Sequence, residues 1–191
     1  MRKELDADSK FACELCSKKV GMIIKMFKVS DKVIHNSYGL CEIAAIEMQN
    51  TYYGKQDCYI IYMNKIKIMI PVSYAEMLRY PIKKEEVAKV FEAFGKLDEL
   101  PDTLPYKERI KVYTEKLISN DILKIAEVSR DLAFLDTVDK LKGPEKNLFE
   151  RVNNILSDEI SFVQNISKLT AQRLIHSASK KIRERAKCRK K

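Results

Sequence analysis

The chain has 191 residues, of which 46% are hydrophobic and 33% charged, a composition that excludes a protein disordered throughout its length. Its formal net charge is +9, and residues 180–191 hold eight Lys or Arg residues against one Glu. This basic tail predicts attraction to a polyanion, for which nucleic acid is the commonest choice, with a membrane surface or simple solubility as alternatives.

The cysteines are odd in number and scattered, at positions 13, 16, 41, 58 and 188. This spacing favours free thiols in a reducing cytoplasm over a disulfide scaffold. Cys13 and Cys16 supply two ligands where structural zinc needs four, so we predict incidental thiols, no metal and no cofactor. Acidic residues near the N-terminus and an apolar run of only five residues, 20–24, argue against export and against a membrane span. The predicted location is the cytoplasm, with no membrane partner.

The first 80 residues divide at an internal methionine, Met26. Residues 1–25 are predicted to be a leader or a wrongly assigned start, and residues 26–80 to form a β domain. Four runs with a period of two (31–36, 40–48, 58–63 and 65–70) are separated by turn signals, in which Gly39 is expected to have a positive φ. They predict a compact antiparallel sheet, specifically a small barrel.

The last of these runs has two different faces. Ile66, Ile68 and Ile70 alternate with Lys65, Lys67 and Met69. The second set is expected to point outward, as a solvated face or as a surface for a partner.

Residues 81–105 are predicted to be a linker helix and loop. An amphipathic helix is expected over 84–96, with Val87, Val90, Phe91 and Phe94 inward. Two prolines and three acidic residues in 97–105 predict a loop, which we interpret as a hinge between a β domain and an α domain.

The rest of the chain reads as helices, with residues 106–179 forming a helical domain before the tail. Asn120 and Asp121 predict a helix start, and Gly143-Pro144 predicts a chain reversal before the next helix. In that helix a stripe of apolar residues is expected to be buried while Glu145 and Lys146 stay in solvent. A last helix is expected over 169–186, capped by Ser167. The predicted fold class is therefore α+β, a small antiparallel β-barrel followed by an all-helical bundle.

Motifs of catalysis are missing from the sequence. The five glycines form neither a dinucleotide fingerprint nor a Walker loop, and no G-x-S-x-G or zincin pattern occurs. His176 is expected at the surface of a helix. We predict no catalytic residues and a protein that is not an enzyme.

Several segments resemble the CarD/CdnL family of bacterial transcription regulators: MFKVSDKVIHNSYGL, KIMIPVSYAE, EEVAKVF, EKLISNDILKIAEVSRDL and GPEK. The resemblance covers roughly Met26 to Val163, and its most specific part is EKL-x-S-x-D-x4-AEV-x-RDL. It implies a Tudor-like (SH3-like) domain that binds the RNA polymerase β subunit. It also implies a helical domain that contacts promoter DNA at the upstream edge of the transcription bubble, and a role in stabilising the open complex.

The resemblance also implies DNA-binding residues. The family's wedge tryptophan corresponds to Tyr106, and its phosphate contacts correspond to Lys111 and Lys146. Arg109 falls among the same basic residues, whereas Glu108 stands where relatives have arginine. An aromatic ring at this position would hold a partly unstacked base step.

For the polymerase, the resemblance implies strand addition, with Lys65, Lys67 and Met69 as the partner face. The protein is expected to act as a monomer. The alternative is a general nucleic-acid-binding or nucleoid-associated protein that works through its basic helices and tail. On either interpretation, deleting residues 180–191 should make DNA binding weaker and less sensitive to salt.

Overall fold

The computed structural model describes residues 27–52, 54–63, 65–95 and 103–189, and side chains as far as Ile182. The predicted leader, the Cys13 and Cys16 pair and most of the predicted hinge loop lie outside the described residues. Within them the chain is α+β, as the sequence predicted, with an antiparallel sheet followed by helices.

The sheet has five strands in the spatial order β4-β3-β2-β1-β5. Their bounds are β1 Lys32–His35, β2 Gly39–Thr51, β3 Gly54–Met63, β4 Ile66–Pro71 and β5 Leu78–Arg79. All described pairings are antiparallel, and a bulge lies between Ile43 and Ala45 of β2. Four strands match the predicted runs, and β5 was not predicted.

The predicted barrel is wrong, because the sheet is open. β4 and β5 are its two edges, and no ladder between described residues joins them. β5 has only two residues, Leu78 and Arg79, before the chain leaves the sheet toward the helices. A strand of that length cannot pair along β4, so β4 keeps a free edge.

One face of the sheet carries its own apolar core. Phe27, Val33, Ile43, Tyr59 and Ile61 pack there with residues of the 3-10 turn Val72–Met77. The turn between β1 and β2 closes at Gly39, whose φ of +74° confirms the predicted conformation.

Five helices follow the sheet: α1 Val87–Gly95, α2 Tyr106–Ile118, α3 Ile122–Thr137, α4 Gly143–Gln164 and α5 Lys168–Arg189. A short 3-10 turn, Lys84–Glu86, precedes α1. The helix predicted over 84–96 is confirmed in outline, with Val87, Val90 and Phe94 buried.

The predicted helix boundaries rest on identifiable caps. Asp121 is the N-cap of α3, and its carboxylate accepts a hydrogen bond from the Leu123 N–H at 2.9 Å. Pro144 lies in the first turn of α4, as Gly143-Pro144 predicted. The hydroxyl of Ser167 accepts from the Thr170 N–H at 3.1 Å at the start of α5, which confirms that cap.

The helices share one apolar core that reaches the sheet. Buried residues of α1 to α5 pack together, and Ile34 of β1 belongs to the same cluster. The helix predicted as part of a linker therefore packs on the bundle, against α3 and α5.

A buried polar junction ties the sheet to the helices. The Arg79 guanidinium of β5 donates to both carboxylate oxygens of Glu159 in α4, at 2.5 and 2.6 Å. It also donates through Nε to the Asn120 carbonyl at 2.6 Å. Asn120 in turn donates to the Met77 carbonyl at 3.1 Å. Because these residues come from three segments far apart in the chain, they fix β5 against α4 and against the turn between α2 and α3.

Candidate nucleic-acid and polymerase interfaces

Tyr106 is the first residue of α2, directly after Pro105. Its ring is partly exposed, and the ammonium nitrogen of Lys142 lies 4.8 Å from the ring centroid. Lys142 immediately precedes α4, so the first turns of α2 and α4 meet here. The cation over the ring face limits its motion and adds positive charge beside it. We call this region, built around Tyr106, Lys142 and Lys146, the Tyr106 end of the bundle.

Arg109 does not lie at the surface. Its Nε donates to the Glu145 carboxylate at 2.9 Å, and its Nη1 donates to the Leu104 carbonyl at 2.9 Å. The side chains are 7% and 0% exposed. This placement argues against a direct phosphate contact by Arg109. The ion pair instead holds the start of α2, and with it Tyr106, against the start of α4.

The position of Glu145 differs from the prediction, which left this side chain in solvent. Its second carboxylate oxygen accepts a hydrogen bond from the Lys142 N–H at 2.9 Å. This bond gives an acceptor to the backbone N–H of the residue that precedes α4. One helical turn beyond Arg109, Tyr113 is also buried, and burial raises the pKa of its phenol. Within this buried polar set Arg109 and Glu145 are paired, whereas the Tyr113 hydroxyl has no hydrogen-bond partner among the described residues.

Lys111 and Lys146 are exposed, as the sequence predicted, and form no ion pair with any described residue. They lie on different helices, α2 and α4. Glu108 is exposed on α2 as well, so an acidic side chain stands in the same region. Of the three predicted DNA-binding cations, the structure thus leaves Lys111 and Lys146 in solvent and buries Arg109.

The residues predicted to face the polymerase lie on β4 and the turn before it. Lys65 has a φ of +69° and belongs to the turn, whereas Lys67 and Met69 are exposed on the strand. Lys67 pairs with Tyr62 and Met69 with Ile60 across the β3 to β4 ladder. The predicted alternation of exposure therefore holds from Lys67 to Ile70, whereas Ile66, expected to point inward, is 61% exposed at the start of the strand.

The outer sheet face, which we define by Glu47, Tyr62, Lys67 and Met69, mixes charge with apolar area. Lys67 forms an ion pair with Glu47 of β2 at 3.0 Å. This pair crosses β3 near Ile60, which is 1% exposed, while Tyr62 and Met69 are 56% and 53% exposed. Glu47 and Tyr62 were not predicted, because only the ladder register brings them beside β4.

Other kinds of site find no support among the described residues. None of their helices is both long enough and apolar enough to cross a bilayer. The same part of the chain contains no group of three or more His, Cys, Asp or Glu side chains placed to hold a metal ion. Cys41 and Cys58 are buried free thiols, and burial raises the pKa of both.

The described chain thus combines an open sheet with a free edge and a helical bundle with a basic, aromatic end. The family model described as "CarD-like/TRCF RID domain" matches residues 27–82, and "CarD, C-terminal domain" matches residues 89–176. A Bacillus subtilis (strain 168) protein named "Putative transcription factor YdeB" is 28% identical over 152 residues, covering 75% of this chain and 95% of that protein.

The chain belongs to the CarD family, which confirms the resemblance seen in the sequence. Membership indicates transcription regulation through an interaction with RNA polymerase. The family is one of transcription factors and is not known for enzymatic activity.

Proposed function

We propose that this chain binds the RNA polymerase β subunit through its β domain and promoter DNA through the Tyr106 end. Acting as a cytoplasmic monomer at the upstream edge of the bubble, it stabilises the open complex. The observation that carries this proposal is the partly exposed Tyr106 ring with Lys142 over it, held by the buried pair of Arg109 and Glu145. A fixed aromatic group beside free cations suits a partly unstacked base step flanked by phosphates.

The residues at and near the Tyr106 end have different tasks in this proposal. Tyr106 stacks at the edge of the bubble, while Lys111, Lys142 and Lys146 neutralise phosphates. Arg109 holds Tyr106 in position through its buried ion pair with Glu145. Glu108 lowers the positive potential locally, so the phosphates are expected to approach from the side of α4.

Replacing Tyr106 with Ala should shorten the open-complex lifetime in the presence of the protein. Stacking of a base on an aromatic ring contributes about 1–3 kcal/mol, which corresponds to roughly a 5- to 150-fold shorter lifetime. The lifetime is measured on a promoter fragment with the cognate polymerase after addition of a competitor. Tyr106→Phe keeps the ring and should retain most of the effect.

Phe162→Ala is the matched control, since Phe162 is an exposed aromatic residue near the opposite end of α4. It should leave the lifetime unchanged. If Tyr106→Ala also left the lifetime unchanged while polymerase binding persisted, the wedge role would be wrong.

For polymerase binding, the free edge of β4 supports strand addition, with the outer sheet face giving specificity. Met69→Glu places a carboxylate at an exposed apolar position of that face and should weaken retention on the β-subunit lobe at least about tenfold. Ile66→Glu is the control, because Ile66 is equally exposed on β4 but pairs with Met63 on the other face. Equal losses in both variants would contradict a face-specific contact.

A general nucleic-acid-binding role is the second candidate, and the basic C-terminal helix favours it. A pull-down with the β-subunit lobe separates the two functions. No retention of the unmodified protein, together with intact DNA binding, would favour the general role over the promoter-specific one.

A further inference from the structure

The excess charge of this chain is confined to its last helix and end. Residues 168–191 contain ten Lys or Arg residues and one acidic residue, Glu184, which gives a net charge of +9. This equals the net charge of the entire chain, so residues 1–167 are neutral as a set. The electrostatic attraction of the protein for a polyanion therefore arises mainly at α5.

One side of α5 packs against the bundle, and the other side carries exposed basic residues. Ala171, Ile175, Ser179 and Ile182 are buried against the bundle. Arg173 and Lys180, seven residues apart and so two turns along one side, are exposed, as is Lys181. These three cations form no ion pair with a described residue, and the same seven-residue step leads in the sequence to Lys187. The family match ends at residue 176, before all but two of the ten basic residues.

The connection between α4 and α5 brings the basic end back toward the Tyr106 end. Asn165 has a φ of +54°, and the ammonium group of Lys168 pairs with the Asp158 carboxylate at 2.6 Å, which closes a tight antiparallel hairpin. Both helices have 22 residues. At 1.5 Å per residue, the last turn of α5 returns to about the level of the first turn of α4, where Lys142 and Lys146 lie.

We propose that the outward side of α5 is a second DNA-binding surface, which holds the sugar-phosphate backbone of a duplex without reading its sequence. The inference rests on the proposed function for the nature of the nucleic acid. The last turn of α5 is level with the Tyr106 end, so this surface leads along the helix toward that end, and duplex DNA next to the bubble would contact both.

The chemistry of α5 favours duplex DNA over other polyanions. A helix that binds a lipid surface inserts a continuous apolar face, whereas Ala171, Ile175 and Ile182 of α5 are buried in the bundle. Leu169 and Leu174 are the exposed large apolar residues in the described part of this helix, too few for such a face. Single-stranded nucleic acid is bound by stacking on aromatic side chains, and residues 168–191 contain no Phe, Tyr or Trp. A row of cations without aromatic partners suits the regular phosphates of a duplex.

The test uses the full chain with Arg173→Gln, Lys180→Gln and Lys181→Gln combined. Binding to a short duplex of arbitrary sequence is followed by fluorescence anisotropy between about 50 and 200 mM NaCl. The slope of log K against log salt is negative, and each lost phosphate contact reduces its magnitude by about 0.9, so we expect a slope that is shallower by about 2–3. The matched control combines Lys55→Gln, Lys89→Gln and Lys124→Gln, which are exposed cations elsewhere and remove the same charge.

Three outcomes would overturn the proposal: an unchanged slope in the α5 variant, an equal decrease in the control, or tighter binding to anionic vesicles or single-stranded RNA than to the duplex. Substitution is preferable to deletion of residues 180–191, since deletion would also remove the buried Ile182. The assay contains no polymerase. Loss of the proposed polymerase function would therefore appear in the pull-down and leave the salt slope as an independent result.

Discussion

We expect Glu159→Gln to lower the free energy of unfolding by about 3–5 kcal/mol, because the substitution leaves the Arg79 guanidinium largely buried without its counter-charge. Glu159 is 0% exposed and accepts two hydrogen bonds from Arg79. It also accepts from the Ile82 N–H at 3.0 Å, so one side chain satisfies three donors. Urea unfolding at neutral pH, followed by far-UV circular dichroism, measures the change.

The control for this experiment is Glu42→Gln, which breaks the exposed ion pair between Lys32 and Glu42. Exposed pairs contribute about 1 kcal/mol or less, so the free energy of unfolding of this variant should be close to that of the unmodified protein. The double variant Arg79→Met with Glu159→Met leaves no buried charge and should recover part of the loss. A loss below about 1 kcal/mol for Glu159→Gln alone would show that the Arg79 guanidinium does not need the negative charge of Glu159.

The junction also bears on how the two proposed binding surfaces work together. Arg79 lies on β5, at the edge of the sheet opposite β4, and Glu159 lies on the helix whose first turn forms the Tyr106 end. If polymerase and DNA are bound by these two surfaces, the junction sets the distance between them. Glu159→Gln should then reduce open-complex stabilisation at temperatures where the protein remains folded.

Local sequence patterns were sufficient for the elements with a strong periodicity or a definite cap. The alternation of Lys67 and Met69 with Ile68 and Ile70 is present. Helices α3 and α5 begin at the expected caps, and α4 begins at the expected Gly143-Pro144. These features depend on residues within a few positions of one another. Such features can therefore be predicted from a short stretch of sequence, without knowledge of the rest of the fold.

The errors all concern contacts between residues distant in sequence. Glu145 looks like a surface residue by helical period, yet a partner 36 residues earlier, Arg109, makes its burial possible. The same pairing removes Arg109 from the surface. The barrel was predicted from the number of strand-like runs, but closure depends on how long β5 is, and a two-residue strand carries no periodic signal. Lys142 reaches Tyr106 only because two helix starts meet.

His35 should make the stability of the protein depend on pH in mildly acidic solution. The side chain is 6% exposed, its Nδ1 accepts a hydrogen bond from the Ser37 N–H at 2.9 Å, and its ring stacks on Tyr38. Burial, and then the nearby charge of Arg151, lower the pKa of His35 from 6.5 to about 4. Protonation would also remove the acceptor that Ser37 needs.

The sign follows from linkage: the unfolded chain binds this proton below pH 6.5, whereas the folded protein does so only near pH 4. The contribution of His35 is therefore complete above pH 6.5 and is lost as the pH falls toward 4, at up to about 1.4 kcal/mol per pH unit and about 3 kcal/mol in total. His35→Asn keeps an oxygen acceptor that does not titrate. Its free energy of unfolding should change less over the same interval.

The informative quantity is the difference between the unfolding curves of the unmodified protein and His35→Asn, measured at several pH values. Burial raises the pKa of Asp131, so this carboxyl has the opposite effect and stabilises the fold as the pH falls. Because both proteins contain Asp131, its contribution cancels in the difference. Arg151→Gln should narrow the pH interval over which the contribution of His35 is lost, because it removes one of the two causes that lower the pKa of His35. Parallel curves for the unmodified protein and His35→Asn would mean that His35 accepts a proton in the fold as readily as in the unfolded chain.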